Sequence, residues 1–380
     1  MTSPLLSAPD PFEKVTVDVL GESYTEWEKI TIHWSRKDQV ITVVLGTTEI
    51  GDYTKGPDAF TKWNFPPGVP IVLYSNGTPL VAAIVDLYEP AATPTSHTVT
   101  IVARTITKYL VDNSVNPELL QGAGAFSQMT YEQLIQALSN ASLGPQIDCH
   151  VPACQQLVKS FQLRQGATGQ AEIMRVLPNM GATAMGDNLT DTVHIIGLGD
   201  TSVVDTGGFL LQGLNFENFG GKLSYLSRTN KIDVIAQDGA DPTLIQAAKG
   251  TALDNCADPR RYQRIISQQA IDSMTADRRA TWEILQRIAY STRVQIETPG
   301  WRVWGGDGTT YGPLYWQPNQ LVWVRSTWLK IDCAMLIETV EFNQDDAKGT
   351  TTTLSLVDPR TGGINIGNTR CNSVEYWMVC

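Results

Sequence analysis

Long apolar runs and any excess of positive charge are both missing from this sequence. Apolar stretches such as residues 81–85 fall far short of the about 20 residues that a membrane-spanning helix needs. The first ten residues lack a basic region followed by a long apolar one, so we expect no signal peptide. Lys and Arg total 28 against 39 Asp and Glu, a formal net charge of −11. Wrapping of nucleic acid is therefore disfavoured, because phosphate binding rests on an excess of Lys and Arg.

Cysteine and histidine are both scarce. The six cysteines are scattered along the chain, unlike those of a disulfide-stapled secreted domain, and this favours folding in a reducing cytoplasm. Cys149, His150 and Cys154 form the single Cys/His cluster, but a zinc site usually draws on two such pairs and no second pair follows. We therefore interpret these residues as loop or core residues, and we expect no metal and no cofactor.

Local signatures of catalysis are absent as well. The sequence contains no Gly-x-Ser-x-Gly nucleophile motif. The glycine-rich stretches 197–199 and 305–308 lack the Gly-Lys-Ser/Thr of a phosphate loop and the third glycine of a dinucleotide loop. The pair Asp345-Asp346 lies between two expected strands and is typical of a solvated hairpin tip. The sequence thus predicts no catalytic centre and no enzyme.

Alternation of apolar and polar residues dominates the first 110 or so residues. Residues 15–19 alternate with period two, and Asn76-Gly77 is a strong hairpin signal. Six or so such strands indicate a small antiparallel barrel or sandwich. The pattern then becomes mixed α/β: Thr130 and Gln133 form a capping box, and a second short helix is expected over 172–177, ended by Pro178 and Gly181.

A second β-rich block begins near residue 205. Strands are expected at 209–214, 223–228 and 231–237, with Gly220-Gly221 as a separator, and again from 294 to 357. A helix is expected over 273–290 with Thr275 as its N-cap, and it places Trp282 and Leu285 on one face. Its arginines are better explained by a solvated or subunit-facing helix than by nucleic-acid binding.

Tryptophan is concentrated near the C-terminal end. Five of the ten tryptophans fall within 28 residues, at positions 301, 304, 316, 323 and 328. Such a cluster can form a sugar-binding platform, but it more often packs a core or a subunit interface.

Several short motifs follow one another in a characteristic order across residues 15–360. They include Val15-Thr-Val-Asp-Val-Leu-Gly21, Ile30-Thr-Ile-His-Trp-Ser-Arg36, Arg278-Arg-Ala-Thr-Trp-Glu283, Trp316-Gln-Pro-Asn319, Val324-Arg-Ser-Thr-Trp-Leu-Lys-Ile-Asp332 and Gly349-Thr-Thr-Thr-Thr-Leu-Ser-Leu-Val-Asp-Pro359. In order and spacing they resemble the baseplate hub proteins of Mu-like, contractile-tailed bacteriophages. Two departures are an expanded loop at 305–312 and a tail beyond residue 360.

The resemblance implies a structural protein of the virion tail baseplate, assembled in the host cytoplasm. It implies a homotrimeric ring in which each chain carries two tube-like β-barrels. Six barrels then match the hexameric tail tube above, and three chains match the trimeric central spike below. The implied partners are the tube protein, the spike protein and other baseplate proteins, with DNA passing through the channel without specific binding during ejection.

The predicted fold class is α+β, mainly β. The predicted parts are a first β-barrel domain (1–111), an α/β domain (112–200), a second β-barrel domain (201–358) with a helical insertion around 258–291, and an irregular tail (359–380). For subunit contacts we predict Trp282, Leu285, Trp323 and Trp328. An acidic channel would repel DNA, and the candidates for its lining are Asp18, Glu28, Asp86 and Glu338.

Two other functions remain open on the sequence. A host-surface carbohydrate-binding module would use the tryptophan cluster, and a cell-wall-degrading baseplate enzyme would need a catalytic pair that the motifs do not supply. Spike-base proteins of contractile secretion machines are a variant within the hub class.

Overall fold

A computed structural model describes residues 13–25, 27–48, 65–93, 96–120, 124–236, 248–305 and 311–362. Most of the predicted tail (363–380) and the centre of the expanded loop (306–310) lie outside these residues. Within them, no helix is both long and apolar enough to cross a membrane.

The N-terminal block consists of strands. Its elements are β1 (Val15–Val19), β2 (Glu22–Tyr24), β3 (Lys29–Ser35), β4 (Thr42–Thr48), β5 (Pro70–Ser75), β6 (Thr78–Thr93) and β7 (Ser96–Arg104). All their pairings are antiparallel, and Asn76-Gly77 forms the predicted turn between β5 and β6. Alternating burial along β1, β3 and β4 confirms the period-two reading.

The middle segment is mixed α/β, as predicted. It contains α1 (Lys108–Asp112), β8 (Ala125–Phe126), α2 (Tyr131–Ala141), β9 (Gln146–Cys149), β10 (Phe161–Gln162), α3 (Gly169–Met180), β11 (Ala182–Gly186) and β12 (Thr192–Gly197). Strand β12 pairs antiparallel with β11 and parallel with β9. Helix α2 has the predicted capping box of Thr130 and Gln133.

Helix α3 runs past Pro178, so the expected stop at Pro178 is wrong, whereas the expected stop at Gly181 is confirmed. The helix ends at Gly181, whose backbone is left-handed with φ 67° and whose N–H reaches the carbonyls of Leu177 and Pro178. Val176, Leu177 and Met180 are buried around the proline. Their burial outweighs the one backbone hydrogen bond that proline cannot donate.

The C-terminal block adds strands around one long helix. Its elements are β13 (Val204–Leu211), β14 (Asn218–Leu223), β15 (Lys231–Ala236), β16 (Ala248–Leu253), β17 (Tyr262–Ser267), α4 (Ser273–Tyr290), β18 (Thr292–Pro299), β19 (Arg302–Trp304), β20 (Tyr311–Tyr315), β21 (Gln320–Ser326), β22 (Ile331–Asp345) and β23 (Gly349–Val357). A short 3-10 turn follows at Pro359–Gly362. Helix α4 has the predicted bounds, but its N-cap is Asp272 and not Thr275, since the Asp272 side chain accepts the Thr275 N–H at 2.7 Å.

Two strand predictions in this block are wrong. Gly220 and Gly221 lie inside β14 and do not separate strands, and residues 224–228 follow that strand without forming another. Strand β14 pairs with β18 at the end of the sheet, and its residues are largely exposed. Glycine is tolerated there because no side chain is needed to fill a core.

One continuous sheet joins the two β blocks, and β22 is the strand that they share. Its first half (331–336) pairs with β21, whereas its second half (339–345) pairs with β3 of the N-terminal block. The path of the sheet runs from β14 through β18, β23, β22, β3, β4, β7, β6, β5 and β1 to β2. Among the described strands no ladder connects the ends of this path, so the predicted closed barrels are not found.

The hydrophobic cores follow this topology. The largest core takes residues from both β blocks, between positions 15 and 103 and between 210 and 356. A second core fills the α/β segment between positions 110 and 195. A third lies between β15, β16 and α4, from Ile232 to Ile288. The two β blocks therefore share one core. The predicted domain boundaries remain a prediction.

Candidate functional site: interface surfaces and a histidine cluster

The interface residues predicted on α4 are already packed within the chain. Trp282 is only 7% exposed, and Leu285 packs against the third core. The helix lies on β15 and β16 and also contacts α3. Little of Trp282 is therefore left for a neighbouring subunit.

Trp328 is the predicted interface residue that faces solvent. Its side chain is 79% exposed at the turn between β21 and β22. The turn is held in place because the Trp328 N–H (3.2 Å) and the Ser326 hydroxyl (2.7 Å) both donate to Gln212 Oε1. Trp323 is half-buried, and its indole N–H donates to Asp332 at 2.8 Å. The indole of Trp328 thus sits on a fixed backbone with its apolar face free within the chain.

Three of the clustered tryptophans belong to the largest core. Trp301, Trp304 and Trp316 are each at most 2% exposed. The indole N–H of Trp301 donates to the carbonyls of Asn343 and Thr351. These rings cannot form a sugar platform on the surface, which weakens the carbohydrate-binding alternative.

A basic groove of about 950 Å³ opens beside α4. Six cations line it: Lys222, Arg228, Arg260, Arg261, Arg287 and Arg293. Two of them have carboxylate partners, since Arg228 forms a bidentate pair with Asp254 at 2.7 Å and Arg260 pairs with Asp258. In a chain of net charge −11, this groove is a local positive surface, although Glu283 also lines it.

Two of the four predicted channel carboxylates are paired inside the chain. Asp86 accepts from Arg104 and Lys108, and Glu338 is buried with Lys37 at 3.3 Å. Burial raises the pKa of Asp86, but the two cations outweigh it and hold that pKa below its ordinary value. Asp18 and Glu28 accept hydrogen bonds from Ser23 and Thr48. Among the described residues, the hydrogen-bond partners of Asp18 and Glu28 are neutral hydroxyl groups, which leave the carboxylate charge unbalanced.

A cluster that the sequence did not predict lies where β9 and β12 run side by side. The parallel register sets Asp148 opposite His194, and His150 follows directly after β9. His150 Nε2 lies 3.1 Å from His194 Nδ1 and 3.2 Å from Asp148 Oδ2. His194 Nδ1 is 3.3 Å from the same Asp148 oxygen. Three potential metal-ligating atoms therefore lie within 3.3 Å of one another.

Asp187 holds the far side of the His194 ring. Its Oδ2 lies 3.3 Å from His194 Nε2, while its Oδ1 accepts the N–H groups of Leu189 and Thr190. The hydrogen bond to Asp187 raises the pKa of His194 against the opposing effect of burial. Burial acts to raise the pKa of Asp187, but His194 and the backbone donors bring it to about 2.

Cys149 and Cys154 lie in or against the second core, as expected, but they are joined by a disulfide that the sequence did not predict. Alternation along β9 turns Asp148 towards His194 and Cys149 towards the second core, where Cys154 is buried. The 3-10 turn Pro152–Gln155 brings the two sulfurs together. Spacing alone did not predict this, because the turn formed by the four residues between the two cysteines has no strong local signal.

Comparison with known proteins identifies relatives of this architecture. Residues 272–363 match the family model of the fourth domain of Mu phage baseplate assembly protein GpP. The predicted resemblance to Mu-like baseplate proteins is confirmed. The matched range starts at the cap of α4 and includes β18 to β23, which contain the shared strand. No curated protein matches the chain.

Two solved tail-protein structures share the fold over nearly the whole chain. The prophage MuSo2 43 kDa tail protein from Shewanella oneidensis has a TM-score of 0.74 at 22% identity, covering 92% of this chain and 99% of its own. The tail protein from Neisseria meningitidis MC58 has a TM-score of 0.73 at 15% identity, covering 93% and 98%.

A type VI secretion component shows a more distant similarity of fold to this chain. The E. coli c3393 protein has a TM-score of 0.52 at 9% identity and covers 90% of this chain and 76% of its own. It is described as a type VI secretion component with structural similarity to T4 bacteriophage tail proteins gp27 and gp5. At these identities the likenesses establish the fold.

Proposed function

We propose that this chain is the structural hub of a contractile phage baseplate, without enzymatic activity. In this role it forms a homotrimeric ring that joins the hexameric tail tube to the trimeric central spike. The observation that carries the proposal is the GpP fourth-domain match at residues 272–363. The full-length likeness of fold to the Shewanella and Neisseria tail proteins supports it.

The shared sheet gives the proposal a physical basis. Each chain contributes two β blocks that are joined edge to edge through β22 and β3. Three chains then present six blocks to a sixfold tube while keeping threefold symmetry towards the spike. Because the two blocks share one core, they hold a fixed angle, which a symmetry adaptor requires.

The first experiment is the mass of the purified chain by light scattering and sedimentation. We expect a species of about three times 41.7 kDa for the chain alone, or, on addition of tube and spike proteins, a heavier complex that contains three copies of the chain. A chain that stays a single subunit in the presence of both partners contradicts the hub.

Trp328→Asp tests where the subunits meet. We expect this change to lower the trimer fraction at least about tenfold at equal concentration, because a buried interface aromatic is a frequent energetic anchor. Leu20→Asp is the matched control, since Leu20 is equally exposed (80% against 79%) but lies in the turn between β1 and β2. Equal loss of trimer in both variants, or in neither, contradicts a contact at Trp328.

The basic groove supports contact with an acidic partner surface. Lys222→Glu combined with Arg293→Glu reverses two charges on its wall. If the groove lies in the hub assembly, this double variant slows association and removes part of its salt dependence. Unchanged association rates at low salt place the groove outside the assembly.

A further inference from the structure

We propose that Asp148, His150 and His194 form a binding site for a divalent transition-metal ion, with Zn²⁺ as the reference ion. The site is built from two imidazole nitrogens and one carboxylate oxygen, which are the ligand types that such ions prefer. It does not use the cysteines of the adjacent sequence cluster, which are bonded to each other.

The three ligand atoms already have the spacing of a metal-bound set. Their mutual distances are 3.1, 3.2 and 3.3 Å. Tetrahedral ligands about 2.0–2.1 Å from zinc lie about 3.3–3.4 Å from one another. An ion placed about 0.9 Å above the plane of the triangle would therefore reach all three atoms with no more than a small movement of the side chains.

Asp187 prepares His194 for this role. With its carboxylate facing His194 Nε2 at 3.3 Å, the proton of the neutral imidazole belongs on Nε2, and the lone pair on Nδ1 points towards His150 and Asp148. Asp187 is itself held by the N–H groups of Leu189 (2.8 Å) and Thr190 (2.7 Å). Carboxylate–histidine pairs of this kind orient metal ligands in many proteins.

The backbone keeps the ligands together. The N–H of His150 donates to the Ile195 carbonyl at 3.0 Å, which ties the end of β9 to β12 beside His194. The Cys149–Cys154 disulfide anchors the residue between Asp148 and His150 in the second core. The two strands that carry the ligands are therefore fixed relative to each other.

The three proposed ligand side chains are all partly exposed to solvent. The side chains of His150 and His194 are 23% and 21% exposed, and that of Asp148 is 52% exposed. Three protein ligands leave one tetrahedral position for water or for a side chain of an adjoining protein. The proposed site is thus accessible from outside the chain.

Metal binding is tested on the full chain, purified with a tag that lacks histidine and stripped with a chelator. Co²⁺ is added and its visible absorption is recorded, and Zn²⁺ binding is measured by calorimetry. We expect one Co²⁺ per chain with the intense visible bands of a tetrahedral site, and displacement by one Zn²⁺. A stoichiometry well below one, or the spectrum of hexa-aquo Co²⁺, overturns the proposal.

Variants assign the binding to these residues. His150→Ala and His194→Ala are expected to abolish the tetrahedral spectrum, and Asp187→Asn to weaken Zn²⁺ binding about 10–100-fold. His33→Ala is the control, because His33 lies 3.7 Å from Asp38 on another part of the chain. Equal loss in His33→Ala, or full binding in His194→Ala, overturns the assignment.

Thermal unfolding separates lost binding from lost folding. Zn²⁺ is expected to raise the unfolding temperature of the wild type and of His33→Ala, but not of a folded His150→Ala. If the alanine variants unfold, His150→Gln and His194→Gln replace them in the same comparison. A Zn²⁺-dependent rise in the His150 variant equal to that of the wild type contradicts the site.

Discussion

Single residues fasten the separate parts of this chain to one another. Arg36 is 1% exposed at the end of β3, and its Nε donates to Asn319 at 2.7 Å. Asn319 in turn donates to Asp200 at 3.0 Å. Burial lowers the pKa of Arg36, and nearby Tyr290, Asp200 and Glu338 act in the opposite direction. One guanidinium thus links the N-terminal block to both later parts of the chain.

At Gly250 the backbones of β16 and α4 approach closely. A Cβ atom at this position would lie 2.1 Å from the carbonyl carbon of Ala276. Gly250→Ala is therefore expected to destabilise the fold by more than about 2 kcal/mol, because backbone must move to admit the methyl group. The measurement is the urea midpoint of unfolding.

Gly220→Ala is the control for this change. Gly220 also lies within a strand, but nothing is within 4 Å of the added Cβ. Its midpoint is expected to stay within about 0.5 kcal/mol of the wild type. Equal losses in the two variants would mean that β16 does not pack as closely on α4 as described.

Asp86 makes stability depend on pH at the acidic end. Because Arg104 and Lys108 hold its pKa below the ordinary 3.8, its ion pairs stabilise the fold above that value. This stabilisation is lost as the pH falls through the lower folded-state pKa. Asp86→Asn is expected to lower the unfolding midpoint at about pH 7 and to differ less from the wild type at about pH 3.

Glu28→Gln is the comparison for Asp86→Asn. The Glu28 carboxylate is exposed and accepts a hydrogen bond from the Thr48 hydroxyl. Its replacement is expected to shift the midpoint less at about pH 7. A gap between Asp86→Asn and the wild type that is constant with pH contradicts the role given to the ion pairs.

At the scale of elements, α4 depends on a cap that precedes its first turn. Asp272→Ala removes the acceptor of the Thr275 N–H and is expected to cost about 1 kcal/mol of stability. Asp272→Asn keeps an acceptor oxygen at the same place and is expected to recover most of this loss. Denaturant unfolding followed by circular dichroism measures both variants, and equal losses would exclude capping as the cause.

Local signals predicted elements far better than they predicted pairings. The bounds of α4 and the capping box of α2 follow from residues within one or two turns of each other. The edge position of β14, which makes Gly220 harmless, depends on strands far away in sequence. The continuous sheet was missed for the same reason, since β3 meets β22 across almost the whole chain.

The histidine cluster was hidden for a similar reason. His150 and His194 are 44 residues apart, and a parallel register between β9 and β12 brings them together. The spacing of Cys149 and Cys154 indicated the segment that contains the cluster. The sulfur atoms are bonded to each other, however, and the potential ligands are a carboxylate and two imidazoles. The interface prediction failed to distinguish an exposed tryptophan from a buried one. Trp328 is exposed and Trp282 is buried, and the periodicity of the sequence does not reveal this difference.

For the molecule as a whole, a common core means that the two β blocks lose structure together. Phe342 of β22 is fully buried, pairs opposite Ile32, and its ring lies 5.4 Å from that of Trp301. Phe342→Ala is expected to cost about 3–5 kcal/mol. Hydrogen exchange should then rise to a similar extent in β4 and in β18.

Ile232→Ala is the matched test in the third core. Ile232 is equally buried but packs with β16 and α4, away from the shared sheet. Its replacement is expected to raise exchange in β15 to β17 and to leave β4 unchanged. Faster exchange confined to one β block after Phe342→Ala would contradict a common core.

The pairing of β3 with β22 has a consequence for biosynthesis. Thr31 and Asn343, which meet across this pair, are 312 residues apart. At about 5–20 residues per second, a ribosome takes about 15–60 s to produce the second partner after the first. Throughout that interval one flank of β3 offers unpaired amides and carbonyls to any passing strand. Nascent and truncated chains that end before β22 are therefore expected to aggregate more readily than the complete chain.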